Sequence, residues 1–193
     1  MFKELCATLF ILCNPLLNGF TFNYDGNPQD QFVQGIAECT VLNNAVIEPR
    51  YRVVVAISVA QAILESDWGR SRFAVEGNNY YGIIETDITE PHMKSTNSNV
   101  LLKKYENRCE SVADYIALLN ASSAFVEYRD LRLQQYITDN VDVFLIIETL
   151  KNYAIDPEYT QKLLAITLGL FKKYPEIFKS KQIWEYYNNN KAT

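Results

Sequence analysis

Apolar residues recur at intervals of three and four along most of this chain of 193 residues. That spacing predicts amphipathic α-helices over 29–44, 110–120, 124–135, 141–150 and 156–171. Signals for helix ends support these bounds, because Pro157 stands in the first turn of the last of these helices and Pro175 follows its end. We expect Asp139 or Asn140 to cap the helix over 141–150. The chain is therefore predicted to be mainly α.

The most apolar stretch, 53–64, has a different pattern from the other helices. It is apolar around nearly its whole circumference, which indicates a buried helix. We expect this helix to begin at Pro49, where proline suits the first turn, and to stop at Gly69. Four residues at spacings of three and four fall on one stripe of it: Ser58, Gln61, Glu65 and Trp68.

Glu65 is the residue of this stripe with the greatest chemical interest. Burial disfavours the charged form of a carboxyl group, so the pKa of Glu65 is predicted to be raised. A general acid that works at neutral pH needs such a pKa. The structural alternative is that Glu65 caps the helix or pairs with Arg70 or Arg72.

Two short runs after the buried helix predict a small β-hairpin. The runs are 78–86 and 100–105, and a polar loop containing Pro91 separates them. The segment 70–77 between the helix and the first run predicts a short helical turn. The fold class is therefore a mainly α domain with a small hairpin beside it.

The N-terminal 19 residues have the pattern of a secretory signal. Lys3 supplies a positive charge, residues 5–12 are apolar, Pro15 breaks the run and Gly19 is a small residue at the expected cleavage point. The alternative is a core helix. We therefore predict a signal at 1–19, a linker at 20–28, a catalytic domain at 29–179 and a tail at 180–193, with export to the periplasm or the medium.

Composition excludes several classes of function. A net charge of −5 and an isoelectric point near 5.0 argue against binding to nucleic acid or to an anionic membrane surface. His92 is the single histidine and the cysteines are dispersed, so no metal-ligand pattern is present. No glycine-rich phosphate loop is found either. We expect no cofactor, no membrane span after removal of the signal, and a monomer.

Cys39 and Cys109 remain once the predicted signal is removed. An even pair in an exported protein is a plausible disulfide, and two buried thiols are the alternative.

Several motifs in the same order resemble the glucosaminidase family of peptidoglycan hydrolases, which includes mannosyl-glycoprotein endo-beta-N-acetylglucosaminidase. Residues 60–62 read Ala-Gln-Ala, 65–69 read Glu-Ser-Asp-Trp-Gly, and 78–82 read Asn-Asn-Tyr-Tyr-Gly. Residues 71–79 are most similar to the Bax-type branch of the family. The late motif Tyr-Ala-x-Asp-Pro-x-Tyr matches 153–159, and the whole resemblance extends from about residue 29 to about residue 172.

This resemblance implies a lysozyme-like helical fold that cleaves the β-1,4 bond after N-acetylglucosamine, in peptidoglycan or a related glycan. It implies that Glu65 is the catalytic acid and that Tyr153 lies near it. Six further residues of the same motifs are candidates for contact with substrate: Gln61, Trp68, Asn79, Tyr80, Tyr81 and Tyr159. Tyr80 and Tyr81 depart from the leucine and phenylalanine usual in the family, and Asp67, where a small residue is common, is expected at the surface or in a cap.

Glycoside cleavage normally uses two carboxyl groups, one that protonates the leaving oxygen and one that attacks or activates water. For the second group the sequence offers Glu85, Asp87 and Glu90 in the predicted hairpin. Alternatively, the N-acetyl group of the substrate is the nucleophile and Tyr153 orients it.

Three other functions remain open from the sequence. A lytic transglycosylase or a lysozyme-type muramidase would use the same fold and a single glutamate. A cysteine peptidase would use Cys109, at the start of a predicted helix, together with His92. A protein that binds glycans without cleaving them is the third.

Overall fold

The computed structural model describes residues 26–96 and 98–178. The predicted signal at 1–19 and the predicted tail at 180–193 lie outside these residues. Of the predicted linker, the last residues are described, and there Asn27 caps the first helix by accepting from the backbone N–H groups of Gln29 and Asp30. The helix thus begins at Pro28, one residue before the predicted start of the domain.

Helices make up most of the described chain, which confirms the mainly α prediction. The α-helices are α1 (Pro28–Ala45), α2 (Val55–Ser66), α3 (Arg72–Gly77), α4 (Arg108–Ala121), α5 (Val126–Thr138), α6 (Val143–Glu148), α7 (Tyr159–Lys173) and α8 (Pro175–Phe178). Single 3-10 turns lie at Pro49–Tyr51 and Ser123–Phe125. No described helix is long and apolar enough to cross a membrane.

Helix α2 lies at the centre of the domain. It packs against α1 on one side and α7 on another, while α4 packs against α1. Its residues from Ala56 to Ile63 are all buried, as the apolar run predicted. Because this part of α2 is buried around its whole circumference, the polar side chains of Ser58 and Gln61 must find partners inside the protein.

Both predicted ends of this central helix are wrong. Pro49 forms a 3-10 turn, and the chain then runs extended through Arg52 and Val54 before α2 begins at Val55. At the other end the helix stops at Ser66, because the next three residues, Asp67, Trp68 and Gly69, all have positive φ. Trp68 therefore leaves the helix and does not extend the polar stripe by another turn.

A three-stranded antiparallel sheet stands where the hairpin was predicted. Strands β1 (Ile84–Glu85) and β3 (Leu101–Lys103) come from the two predicted runs and pair with each other. The polar loop between them also contributes β2 (His92–Lys94), which pairs with the other edge of β3. The β3 residue Lys103 donates to Asp114 of α4 at 2.8 Å, which fixes the sheet to the helical body.

Other helix ends differ from the predicted bounds by a few residues. Asp142 caps α6 by accepting from the backbone N–H groups of Phe144 and Leu145, so neither Asp139 nor Asn140 is the cap. Helix α7 begins at Tyr159, after a turn in which Asp156 accepts from the N–H of Glu158.

Candidate active site

Glu65 occupies the last turn of α2 and is half-buried. Burial raises the pKa of its carboxyl group, and the hydroxyl of Tyr159, which faces it, partly offsets that rise. The carboxyl oxygen Oε1 is buried and has no hydrogen-bond partner among the described residues. A buried, unpaired carboxyl oxygen is costly for stability, and such costs are concentrated at functional sites.

The alternative role for Glu65, an ion pair with a nearby arginine, is contradicted. Arg70 donates to Asp67 at 2.6 Å, and Arg72 bonds the backbone oxygen of Lys94 at 2.7 Å. Asp67 is exposed and occupies the C-cap position of α2, as expected from the sequence.

Gly82 leaves space beside the other carboxyl oxygen. Its φ is +66°, and a Cβ placed on it would stand 3.7 Å from Oε2 of Glu65. The glycine that ends the 78–82 motif thus brings backbone, without a side chain, next to the acid. This residue was not singled out in the sequence, although a positive φ is a common reason for a glycine at the end of a turn.

Tyr153 lies on the loop between α6 and α7. Burial raises the pKa of the Tyr153 hydroxyl, and the nearby carboxylate charge of Glu65 raises it further. Its hydroxyl donates to the backbone oxygen of Tyr81 at 2.9 Å. Its ring stacks on that of Tyr159, with centroids 5.8 Å apart, and meets Tyr115 edge-on. The structure therefore brings Tyr153 and Tyr159 together at Glu65.

Gln61, one turn before Glu65, has no exposed surface. Its Nε2 donates to the hydroxyl oxygen of Tyr159 at 2.8 Å, and its Oε1 accepts from the hydroxyl of Tyr115. Gln61 is thus held by two tyrosines, from α4 and α7, and presents no surface to a substrate in this structure, so its contact with substrate stays a prediction. Tyr115 was not a predicted site residue, and its only sequence signal is its place on the apolar face of a helix.

Most of the 78–82 motif is buried in the same way. Asn79 is buried, where Nδ2 donates to the backbone oxygens of Ile83 and Lys103 and holds the turn onto the sheet. Tyr81 is also buried and its hydroxyl bonds that of Ser58 at 2.8 Å. Tyr80 is buried as well, and its ring packs against the ring of Phe32, with the centroids 5.8 Å apart. These residues present little or no surface to a ligand.

Trp68 differs from them because it keeps part of its side chain exposed while the rest packs on the core. It lies three residues after Glu65, within the left-handed turn formed by residues 67–69. Of the six predicted contact residues, Trp68 is the one that keeps part of its surface exposed, and Tyr159 places its hydroxyl at the acid.

The three candidates for a second carboxylate lie on or beside β1. Glu85 is half-buried, and its Oε1 accepts from the backbone N–H groups of Thr86 and Asp87 at 2.8 and 2.9 Å. Asp87 is exposed, and Thr89 lowers its pKa by donating to it from both hydroxyl and backbone. Glu90 is exposed as well. The negative charges of Glu85 and Glu90 both act on Lys103 of β3.

The cysteine-peptidase alternative is contradicted by the state of Cys109. Its sulfur is bonded to that of Cys39, so it carries no thiol in this structure. His92 is exposed, and its Nδ1 pairs with the backbone oxygen of Glu90 at 2.8 Å. The disulfide joins α1 to the first turn of α4.

Together, the central buried helix, the half-buried acid at its end and the small sheet beside it define a lysozyme-like class of glycosidase domain. Solved structures share this fold. The catalytic domain of the autolysin Auto from Listeria monocytogenes matches with a TM-score of 0.58 and 19% identity over 90% of this chain and 95% of that chain. The glycoside hydrolase domain of FlgJ from Salmonella typhimurium matches with a TM-score of 0.57 and 20% identity over 84% of this chain and 98% of that one.

The sequence comparison makes the class more specific. Residues 45–170 match the Glucosaminidase family, described as mannosyl-glycoprotein endo-beta-N-acetylglucosaminidase, and the chain belongs to this family of glycosidases. The family resemblance seen in the motifs is thereby confirmed, whereas the Bax-type branch stays a prediction. A curated relative, the exo-glucosaminidase LytG of Bacillus subtilis, is 29% identical in an alignment over 131 residues that covers 63% of this chain and 45% of that protein. The chain thus spans less than half the length of this relative.

Proposed function

We propose that this protein hydrolyses the β-1,4 bond after N-acetylglucosamine in peptidoglycan or a related glycan, with Glu65 as the general acid. The observation that carries the proposal is the state of Glu65, whose carboxyl has a raised pKa and one oxygen without a partner. A carboxyl whose acid form is favoured by burial, and which has a free oxygen, is suited to give a proton to a glycosidic oxygen. Export to the periplasm or the medium fits such a substrate.

The aromatic surroundings of the acid support a sugar as the ligand. Trp68, three residues after Glu65, is partly exposed, and sugar rings have apolar faces that stack on aromatic side chains. Tyr153 and Tyr159 add hydroxyl groups next to the carboxyl. We propose that Trp68 binds the glycan and that the hydroxyl groups orient it.

The second chemical group of the reaction is either Glu85 or the acetamido group of the substrate, and each gives a different route. In the first, Glu85 acts as base, because it is half-buried and stands three residues after Gly82, which lies beside Glu65. In the second, the acetamido group of the substrate attacks. The hydroxyl proton of Tyr153 is already donated to the backbone oxygen of Tyr81, so Tyr153 would accept from the acetamido N–H with its lone pair. Turnover retained by Glu85→Gln selects the second route, and turnover lost selects the first.

The test of the proposal is Glu65→Gln, assayed on purified peptidoglycan sacculi. We expect the variant to remain folded and to lose at least about 100-fold in turnover, the lower range of a general-acid contribution. Full turnover in the folded variant would overturn the assignment.

Glu38 provides a matched control. It is a half-buried glutamate on α1 whose pKa is also raised by burial, with the charge of Arg108 opposing that rise. We expect Glu38→Gln to keep its turnover. Equal losses in both variants would mean that the loss comes from changed stability and not from a missing acid.

The products decide between the proposed reaction and the alternatives on the same fold. A glucosaminidase leaves N-acetylglucosamine at the new reducing end, a muramidase leaves the muramic sugar there, and a lytic transglycosylase gives an anhydro-muramic product. Mass spectrometry after borohydride reduction distinguishes all three. We expect reduced N-acetylglucosamine at the chain ends, and no product at all would favour a protein that only binds glycans.

A further inference from the structure

Hydrogen bonds join three side chains from three helices in a row, and the last of them, Tyr159, faces Glu65. The hydroxyl of Tyr115 on α4 donates to Oε1 of Gln61 on α2. Nε2 of Gln61 donates to the hydroxyl oxygen of Tyr159 on α7, at 2.8 Å. The hydroxyl of Tyr159 faces the Glu65 carboxyl. Tyr115 and Gln61 are fully buried, so water does not compete for these bonds.

The number of protons in the row fixes its direction. A tyrosine hydroxyl has one proton, and the carboxamide of glutamine has one end that only donates and one that only accepts. Because Tyr115 gives its proton to Oε1, the amide must donate to Tyr159 from its other end. The oxygen of Tyr159 is then an acceptor towards Gln61, and its own proton is left for the carboxyl.

We propose that Gln61 is a positioning residue, which holds the Tyr159 hydroxyl so that its single proton is donated to the Glu65 carboxylate. This role deepens the proposed function, on which its importance for turnover rests. The row opposes the effect of burial on the acid, because a donated hydrogen bond favours the carboxylate form. Gln61 and Tyr115 act through Tyr159 and touch no substrate themselves.

The groups that face Glu65 are few among the described residues. Tyr159 on α7 and Tyr153 on the preceding loop are the titratable side chains whose ionisation is coupled to that of Glu65. The proton of Tyr153 is engaged by the backbone oxygen of Tyr81, so it is not available to the acid. Asp67, which is close in sequence, is exposed and paired with Arg70. Tyr159 is therefore the side chain whose removal should change the ionisation of Glu65 most.

The experiment follows the ionisation of Glu65 directly. The full chain is labelled with glutamate carrying 13C at the carboxyl carbon, and the signal that disappears in Glu65→Gln identifies the residue. Titration then gives the ratio of carboxylate to acid at a fixed pH. We expect Tyr159→Phe, which keeps the stacked ring, to lower that ratio about tenfold, close to the effect of losing one hydrogen bond to a charged group.

Two further variants test the row beyond Tyr159. In Tyr115→Phe nothing holds Oε1, so the amide is free to turn and to accept the proton of Tyr159. The ratio should then fall in the same direction. Gln61→Met should also lower the ratio of carboxylate to acid. If the Gln61→Met protein does not fold, the Tyr115→Phe variant still tests the row. The double variant Tyr115→Phe/Tyr159→Phe should lie no lower than Tyr159→Phe alone, because both changes act through one bond.

Ser58→Ala is the matched control. It removes a buried hydroxyl from the same helix, bonded to Tyr81 and Thr40 and not to the row. It should cost stability and leave the ratio unchanged. An unchanged or higher ratio in Tyr159→Phe, additive effects in the double variant, or an equal fall in Ser58→Ala would overturn the proposal.

This readout separates the positioning role from the proposed function. If the ratio shifts as expected while the wild-type protein cleaves no glycan, the row stands and the proposed function fails. If the glycan is cleaved and the ratio does not shift, the row fails and the proposed function stands. If the positioning role and the proposed function are both correct, the alkaline limb of the pH profile of kcat/KM should move to higher pH in Tyr159→Phe.

Discussion

Removing the disulfide between Cys39 and Cys109 is expected to reduce the stability of the domain strongly. The bond joins the buried core of α1 to the first turn of α4, and α4 also carries Tyr115, the outer member of the row that ends at Glu65. The perturbation is the double variant Cys39→Ala/Cys109→Ala, compared with the wild-type chain under reducing conditions.

The size of the effect follows from the length of chain that the bond closes. The two cysteines are 70 residues apart. In the chain-entropy description, a cross-link over such a loop removes about 15 cal/mol/K from the unfolded state, or about 4.4 kcal/mol at 25 °C. For a domain of this size that corresponds to a fall in Tm of roughly 9–18 °C. This loss is a large share of the roughly 5–15 kcal/mol by which domains are stable.

Urea unfolding measured by tryptophan fluorescence provides the assay. The reduced wild type isolates the lost cross-link, because its side chains are otherwise unchanged. The alanine variant should lose slightly more, since Cys39 is buried and its sulfur is removed from the core. A loss below about 1 kcal/mol in both samples would refute the reasoning that this bond restricts the unfolded chain.

The remaining expectations concern the surroundings of Glu65. The pKa of Glu65 is raised in the folded state, so the native protein binds more protons than the unfolded chain and its stability falls as pH rises from 4.5 through the native value. Glu65→Gln should therefore unfold with a higher free energy than wild type at neutral pH, and urea titrations should show this gain vanish below pH 4.5; a constant gain would contradict it. Gly82→Ala should cost about 1–2 kcal/mol for its positive φ and lower kcat, because its methyl group would stand against the carboxyl. Gly69→Ala, also at positive φ, should destabilise the domain more, because its Cβ would meet the buried ring of Phe32 at 2.7 Å, but the folded fraction should keep its kcat. Thermal unfolding measures the stability of both glycine variants, and initial rates measure their kcat. A normal kcat in Gly82→Ala would contradict the contact with Glu65.

The buried helix and its acid were predictable because both depend on local pattern. The apolar run around Ile57 and Ile63 indicated burial, and Glu65 was unusual within it. The end of the helix was not predictable in the same way. The hydroxyl of Ser66 holds the left-handed turn by accepting from the backbone N–H of Gly69 at 2.9 Å. The spacing of apolar residues does not predict where φ becomes positive.

Gln61 shows what helical spacing leaves open about a polar stripe. Its position one turn before Glu65 was predicted correctly, but the structure gives it two tyrosine partners and no exposed surface. Its two partners lie 54 and 98 residues further along the chain, so their approach depends on how α4 and α7 pack. A polar residue between Ala60 and Ala62 is as well explained by a buried partner as by a ligand. The abundance of tyrosine was the available signal for such partners.

The second carboxylate could not be fixed from the sequence for a related reason. Glu85, Asp87 and Glu90 all fall in the predicted hairpin, and spacing alone does not separate them. In the structure Glu85 is half-buried, while Asp87 and Glu90 are exposed. The unexpected strand β2 accounts for part of this, because it draws the polar loop back along β3.

The central claim is that Glu65 gives a proton to the glycosidic oxygen beyond N-acetylglucosamine. The most direct measurement is mass spectrometry of sacculi digested by wild type and by Glu65→Gln, with Glu38→Gln alongside. We expect chain ends carrying reduced N-acetylglucosamine from wild type and from Glu38→Gln, and almost none from Glu65→Gln. The same ends released at the wild-type rate by folded Glu65→Gln would contradict the account.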